Sequence, residues 1–208
     1  MIMSRTNPDW AEFVSNVVSP PVVWSIMAFP IAALDAPSTS KMLTWALIYV
    51  VLVSAVPTLY ILLQVRRGNI ADMHMPNREE RIRPFIVSII TTSIAVVALY
   101  VSSASPIMRL FAISSLIQLT LMALITTMWQ ISIHMISISG VVVTVGALFG
   151  ATPVLLTAPL VPLVALARLK LHRHTRAQVV AGIILGALSV SALLAMASSL
   201  EPGLFSHH

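Results

Sequence analysis

The chain has 208 residues, of which 58% are hydrophobic and only 9% are charged, and its mean hydropathy is +0.94. This composition excludes an ordinary soluble domain and indicates a protein that lies in lipid. The absence of cysteine excludes disulfides, thiolate metal sites and cysteine nucleophiles, and the net charge of +5 is confined to clusters that are more typical of cytoplasmic loops or phosphate sites than of nucleic-acid binding.

Long apolar runs recur along the sequence, and several reach the roughly 20 residues that a helix needs to cross a bilayer. We predict an all-α, polytopic transmembrane bundle of six or seven spans, in a single membrane domain over residues 1–208. The first stretch, 17–34, is interrupted by Pro20 and Pro21, and the sequence leaves its full crossing open. The second, 42–65, contains Pro57, which predicts a kink because proline removes a helical hydrogen bond. The later predicted spans are 84–104, 107–128, 131–150, 152–167 and 177–200.

Two polar segments separate these spans. Residues 66–83 contain five arginines and three acids, and residues 168–176 contain four basic residues and two histidines. If the chain crosses the membrane seven times, both segments lie on one face of it. Lys41 and Arg109 are then the only basic residues, histidines aside, on the opposite face. By the positive-inside rule the first face is cytoplasmic, and we expect a multi-pass protein of a prokaryotic plasma membrane.

The histidines and arginines at the ends of the spans are the candidates for chemistry. An ionisable group at membrane depth is costly unless it faces a cavity or a partner, so His134 is a functional candidate, with a structural histidine as an equal alternative. Guanidinium groups bind phosphoryl oxygens, one neutral imidazole can attack phosphorus, and a second can protonate the leaving oxygen. This chemistry requires no metal or cofactor. Any single loop arginine is better explained as an anchor for anionic headgroups.

The order and spacing of these residues resemble the type-2 phosphatidic acid phosphatase superfamily. The stretch Arg168-x5-His174-x3-Gln178 is similar to its third motif, Ser-Arg-x5-His-x3-Asp. Residues 131–134, Ile-Ser-Ile-His, are similar to the second motif, Pro-Ser-Gly-His, and Arg83-Pro84 is similar to the end of the first, Lys-x6-Arg-Pro. The resemblance extends from about Pro76 to Gly186.

This resemblance implies a membrane enzyme that hydrolyses a lipid phosphate or diphosphate, isoprenoid or glycerolipid, through a phosphohistidine intermediate. The substrate would arrive through the bilayer, and no nucleic acid, metal or cofactor is implied. The implied roles are catalytic for His174 (nucleophile), His134 (general acid) and Gln178 (orienting His174), and phosphate-binding for Arg83, Arg168, Ser132 and Arg78.

Several departures from the motifs leave turnover open. Gln178 replaces the aspartate that orients the nucleophile, and an amide oxygen can accept the Nδ1–H bond but brings no negative charge. Ile133 replaces a glycine whose small size lets a backbone N–H approach the phosphate. Ala167 replaces a serine, and Pro76 stands where the lysine belongs, so that Arg78 would have to supply that charge. A non-catalytic member that binds a lipid phosphate or joins a membrane complex is therefore the second hypothesis.

Two weaker alternatives come from other features. The acids of segment 66–83 faintly resemble the loop of membrane prenyltransferases, but segment 168–176 has no acid to complete a magnesium diphosphate site. Prolines within the spans leave transport open.

His172 is interpreted as a solvated basic residue rather than a second base. Gly182 and Gly186 predict close helix packing, and the sequence leaves a homo-oligomer or a membrane complex open.

Overall fold

The computed structural model describes residues 9–73, 75 and 77–202, and over these residues the predicted all-α class is confirmed, with no strand. The elements are α1 Trp10–Val17, α2 Pro20–Asp35, α3 Thr39–Tyr49, a π-helical stretch Val50–Ala55, α4 Val56–Arg66, a 3-10 turn Glu79–Arg81, α5 Ile82–Val101, α6 Pro106–Thr126, α7 Ile133–Phe149, α8 Ala151–Thr157, α9 Leu160–Lys170 and α10 Arg176–Leu200.

In the described part of the chain, five helices are long and apolar enough to cross a bilayer. A sixth candidate consists of α1 and α2 together, which meet at a bend of 44°. Helix α7 is apolar but has only 17 residues, and most of them are buried within the bundle. The structure thus supports a membrane protein with five or six full-length candidate spans. The five single candidates are Thr39–Arg66, Glu79–Val101, Pro106–Thr126, Ala151–Lys170 and Arg176–Leu200.

The outer faces of these helices are apolar, as a lipid environment requires. On α5, bulky side chains repeat every three or four residues and are all about half-exposed or more. A stripe of this kind would be an aggregation hazard in water, whereas in lipid it is the expected outer surface of a span. Its members are Ile86, Ile90, Ile94, Val97 and Val101.

The N-terminal stretch differs from its predicted course. Pro20 and Pro21 do not interrupt a helix but occupy the first turn of α2, where a missing N–H breaks no hydrogen bond. A separate helix, α1, begins at Trp10, before the predicted start at residue 17. Asp9 caps it by accepting a hydrogen bond from the Ala11 backbone N–H at 3.4 Å.

The distortion predicted at Pro57 takes the form of the π-helical stretch that precedes it. Pro57 has no N–H to donate to the preceding turn, and the wider π geometry of Val50–Ala55 accommodates this within one span, Thr39–Arg66. Ser54, within this stretch, and Pro57, just after it, line the interior cavity of the bundle. The local distortion therefore lies against the cavity.

Helix α10 packs closely on α7, as its glycine spacing predicts. A Cβ atom on Gly182 would lie 2.8 Å from the Ser132 carbonyl oxygen, and one on Gly186 would overlap the Ile136 carbonyl oxygen. Only glycine permits this approach of the two backbones. The contact fixes the first turns of α7, which carry His134.

An aromatic cluster lies in the buried core of the bundle. The Phe111 ring stacks between Tyr49 and Trp24, with centroid separations of 4.6 and 5.3 Å. The Tyr49 hydroxyl and the Ser115 hydroxyl share a hydrogen bond of 2.6 Å. Trp24 and Ser115 also line the interior cavity, so this cluster forms part of its wall.

Candidate functional site

A cavity of about 410 Å³ lies inside the bundle, a size typical of small-molecule sites. Four buried basic side chains line one end of it: Arg81, His134, Arg168 and His174. The walls away from this end are mainly apolar, with contributions from α4, α5 and α6. His134, Arg168 and His174 lie far apart in the sequence, and the fold brings all three to one cavity.

Arg168 lies in the last turn of α9 rather than in a loop, and it is only 2% exposed. Its Nη1 donates to the Ser15 hydroxyl oxygen at 2.6 Å, and its Nε has no hydrogen-bond partner among the described residues. It makes no ion pair with a carboxylate in the described part of the chain. A buried guanidinium without an acidic partner is costly unless an anion accompanies it.

His134 lies in the first turn of α7 and is 7% exposed. Its Nε2 lies 3.0 Å from the carbonyl oxygen of Ser15, and because a carbonyl can only accept, Nε2 is the donor. This contact joins α7 to α1. The same serine therefore touches His134 through its carbonyl and Arg168 through its hydroxyl.

His174 lies in the turn between α9 and α10 and is 7% exposed. Burial, and to a smaller extent the positive charges of Arg168 and Arg81, lower its pKa to about 4. The Gln178 amide opposes this shift, although it makes no hydrogen bond of good geometry with the ring. Neither ring nitrogen has a hydrogen-bond partner among the described residues. The imidazole is therefore neutral at pH 7, with a lone pair that can face a ligand.

The structure brings Arg81, not Arg83, to the cavity. Arg81 is 7% exposed and donates from Nε to the Met75 carbonyl oxygen at 2.9 Å. With the Gln130 amide oriented so that its oxygen faces Arg81, that oxygen accepts from Nη2 at 2.6 Å. Arg83 is exposed on the outside of α5. The two arginines are two residues apart, so on a helical turn they point in nearly opposite directions, and only one can face the bundle.

Gln178 and Ser132 have local structural partners. Gln178 forms a capping box at the start of α10: its side-chain oxygen accepts from the Thr175 N–H at 2.9 Å, and its own N–H donates to the Thr175 hydroxyl at 3.3 Å. Ser132 is fully buried, and its N–H donates to the Gln178 carbonyl oxygen at 3.3 Å. Its hydroxyl does not line the cavity. Both residues therefore hold α7 and α10 together beside the cavity.

Arg78 and His172 lie outside the cavity. Arg78 is exposed and donates from Nη1 to the Met128 carbonyl oxygen at 3.0 Å, which ties the polar segment to the end of α6. His172 is exposed and has a left-handed φ of 51° in the turn that ends α9. Pro76, at the position of the lysine in the first motif, lies outside the described residues.

The polar end of the cavity is electropositive. No acidic side chain lines the cavity within residues 9–73, 75 and 77–202. Outside the cavity lining, Arg173 pairs with an acid: its Nη1 lies 3.4 Å from a carboxylate oxygen of Asp72, and both side chains are partly exposed. Buried guanidinium groups, neutral imidazole and no carboxylate make an environment that suits a phosphate or similar oxyanion.

Sequence reasoning missed two residues at this end, Ser15 and Arg81. Arg81 lies within a polar segment that has no apolar period to show which side chains face inward. Ser15 belongs to α1, and the only sequence signal for that helix is the cap at Asp9.

Comparisons of this chain with protein-family models, with curated proteins and with solved structures give no match. A function can therefore be argued only from the cavity and the chemistry of the residues that line it.

Proposed function

We propose that this protein is a membrane phosphatase of the type-2 phosphatidic acid phosphatase kind, which hydrolyses a phosphate or diphosphate ester of a membrane lipid. The observation that carries the proposal is the cavity itself, which has two imidazoles and two guanidinium groups at one end and apolar walls along the rest. A phosphoryl group fits the first part, and a hydrocarbon tail fits the second.

The reaction starts from the neutral imidazole of His174. Neutral His174 attacks phosphorus with a ring-nitrogen lone pair, a P–N bond forms, and the bond from phosphorus to the lipid oxygen breaks. His134 in its protonated form gives its proton to that leaving oxygen. Water then attacks the phosphohistidine, His134 takes a proton from it, and the P–N bond breaks to release inorganic phosphate.

The phosphate-binding roles are assigned to Arg168 and Arg81. Each is buried and lines the cavity, so each can donate hydrogen bonds to phosphoryl oxygens in a medium that screens charge weakly. Arg83, Arg78 and Ser132 lose the direct roles that the motif resemblance implies, because none of them lines the cavity. Gln178 supports the site by fixing the start of α10.

The apolar walls support a lipid substrate, either an isoprenoid or a glycerolipid. The cavity is lined by Leu119 and Met122 of α6, Ile61 of α4 and Phe85 of α5. Each methylene group of a lipid tail that is buried against such side chains contributes about 0.8 kcal/mol. The positive-inside rule supports a cytoplasmic location for the catalytic end. Labelling of a His172→Cys variant, in a chain with no other cysteine, tests that orientation.

A second candidate is a lipid-phosphate-binding subunit without turnover. The observation that favours it is the state of Gln178, whose side-chain oxygen is engaged by the Thr175 N–H rather than by His174. Among the described residues, the proposed nucleophile thus has no hydrogen-bond acceptor that fixes its tautomer or stabilises its positive charge.

The test is an assay of phosphate release from polyprenyl phosphate and from diacylglycerol phosphate by the protein purified in detergent. We expect activity in the wild type, its loss in His174→Gln, and its retention in the matched control His172→Gln, because His172 is exposed outside the cavity. Stabilisation by vanadate without any hydrolysis would favour the binding subunit. Equal activity of His174→Gln and wild type would refute the proposed nucleophile.

A further inference from the structure

We propose that Ser15, on the N-terminal helix α1, is a further phosphate ligand and a positioning residue that holds Arg168 and His134 at the site. This inference rests on the proposed function. It adds a residue outside every motif considered above, and it gives α1 a role in binding the substrate.

The hydroxyl of Ser15 is placed to act together with Arg168. Ser15 is 1% exposed, lines the cavity, and accepts a hydrogen bond from Arg168 Nη1 at 2.6 Å. A hydroxyl that accepts from a guanidinium keeps its own proton for another acceptor, and the described residues supply no such acceptor. An oxyanion in the cavity would accept a hydrogen bond from this O–H while it also accepts one from Arg168.

The backbone of Ser15 is placed to hold His134. Helix α1 ends at Val17, and the N–H of Ser19 donates to Asn16 rather than to Ser15. The Ser15 carbonyl is therefore one of the unpaired carbonyls at a helix end, and the His134 Nε2–H satisfies it at 3.0 Å. The break between α1 and α2 thus creates the acceptor that sets the orientation of the imidazole.

Helix α1 is also tied to α9, the helix that carries Arg168. Lys170 pairs with Asp9 at 2.7 Å and lies 4.9 Å from the centroid of the Trp10 ring. This exposed contact is at the start of α1, and the buried contact between Ser15 and Arg168 is near its end. The two contacts fix α1 along the side of α9, with Ser15 facing the cavity.

The test compares Ser15→Ala with Ser15→Thr, which keeps the hydroxyl, and with Ser88→Ala as a matched control. Ser88 also lines the cavity, but its hydroxyl donates to the Pro84 carbonyl oxygen of its own helix at 2.8 Å. The readouts are the vanadate concentration that stabilises each variant against thermal unfolding, and kcat and KM for phosphate release.

We expect Ser15→Ala to bind vanadate about 10-fold more weakly, because a hydrogen bond to a charged group is lost. We also expect a higher KM, from the lost phosphate contact, together with a lower kcat, from the freed Arg168. Ser15→Thr should retain most of the vanadate affinity and of the catalytic rate, and Ser88→Ala should match the wild type in both. If Ser15→Ala folds poorly, Ser15→Cys serves in its place. The thiol fills a similar volume but is a weak hydrogen-bond donor and acceptor, so this variant should show the same loss of vanadate affinity.

Three results would overturn this inference in distinguishable ways. Equal vanadate binding by Ser15→Ala and wild type removes the role of Ser15 and leaves the proposed function intact. Tighter binding by Ser15→Ala means that α1 blocks the site instead of completing it. A wild type that neither binds vanadate nor releases phosphate removes the proposed function, and the role of Ser15 with it.

Discussion

Acidification is the perturbation that addresses His174 most directly. Its pKa of about 4 in the folded protein lies below the ordinary value of 6.5, so the folded chain binds fewer protons than the unfolded chain between these pH values. The contribution of His174 to stability is thus complete above pH 6.5. It decreases as the pH falls towards 4 and stays at its lower level below that.

The magnitude follows from the displacement of the pKa. At about 1.4 kcal/mol per pKa unit, the difference between 6.5 and about 4 corresponds to about 3 kcal/mol of stability lost on acidification. Thermal unfolding in detergent between pH 7.5 and 4 measures this loss. His174→Gln lacks the titrating group and should lose less stability over this range than the wild type.

The control for this measurement is His172→Gln, which removes an exposed histidine two residues away and should keep the full pH dependence of the wild type. Parallel pH profiles of unfolding temperature for wild type and His174→Gln would refute the reasoning, because they would show that His174 does not titrate with a lowered pKa.

Three further substitutions test the packing and the assignments. Gly186→Ala should lower the free energy of unfolding by about 2 kcal/mol or more, because the new Cβ would overlap the Ile136 carbonyl oxygen. A Cβ at position 146 would meet only a Val154 methyl group at 3.2 Å, so Gly146→Ala should be tolerated. Arg81→Gln should weaken vanadate binding about 10-fold, and Arg83→Gln should not; the reverse order would return the assignment to Arg83. Lys170→Ala should change stability by less than about 1 kcal/mol, because its pair with Asp9 is largely exposed.

The parts of the fold that depend on composition could be predicted from the sequence. Five or six candidate spans follow from long apolar runs, and the close packing of α10 follows from Gly182 and Gly186, although the sequence does not identify α7 as its partner. His134, Arg168 and His174 each lie near the end of a predicted span, and the sequence therefore predicted their meeting at one cavity. These features survive small errors in helix boundaries.

The parts that depend on helical register could not be predicted. Arg81 and Arg83 are both flanked by polar residues, so no apolar pattern shows which one faces inward, and the motif resemblance favoured the exposed one. No sequence pattern marks Ser15 as a site residue. Its carbonyl is available to His134 only because the helix breaks before Pro20, and this break is a feature of the folded chain. Its contact with Arg168 joins residues 153 positions apart.

The central claim is that His174 forms a covalent bond to phosphorus. The most direct measurement is to mix the protein with a lipid phosphate carrying radioactive phosphorus, stop the reaction in alkali, and locate the label by mass spectrometry. We expect an acid-labile phosphoryl group on His174, which is absent in His174→Gln and present in His172→Gln. Phosphate release without any label on His174, or a label on another residue, would contradict it.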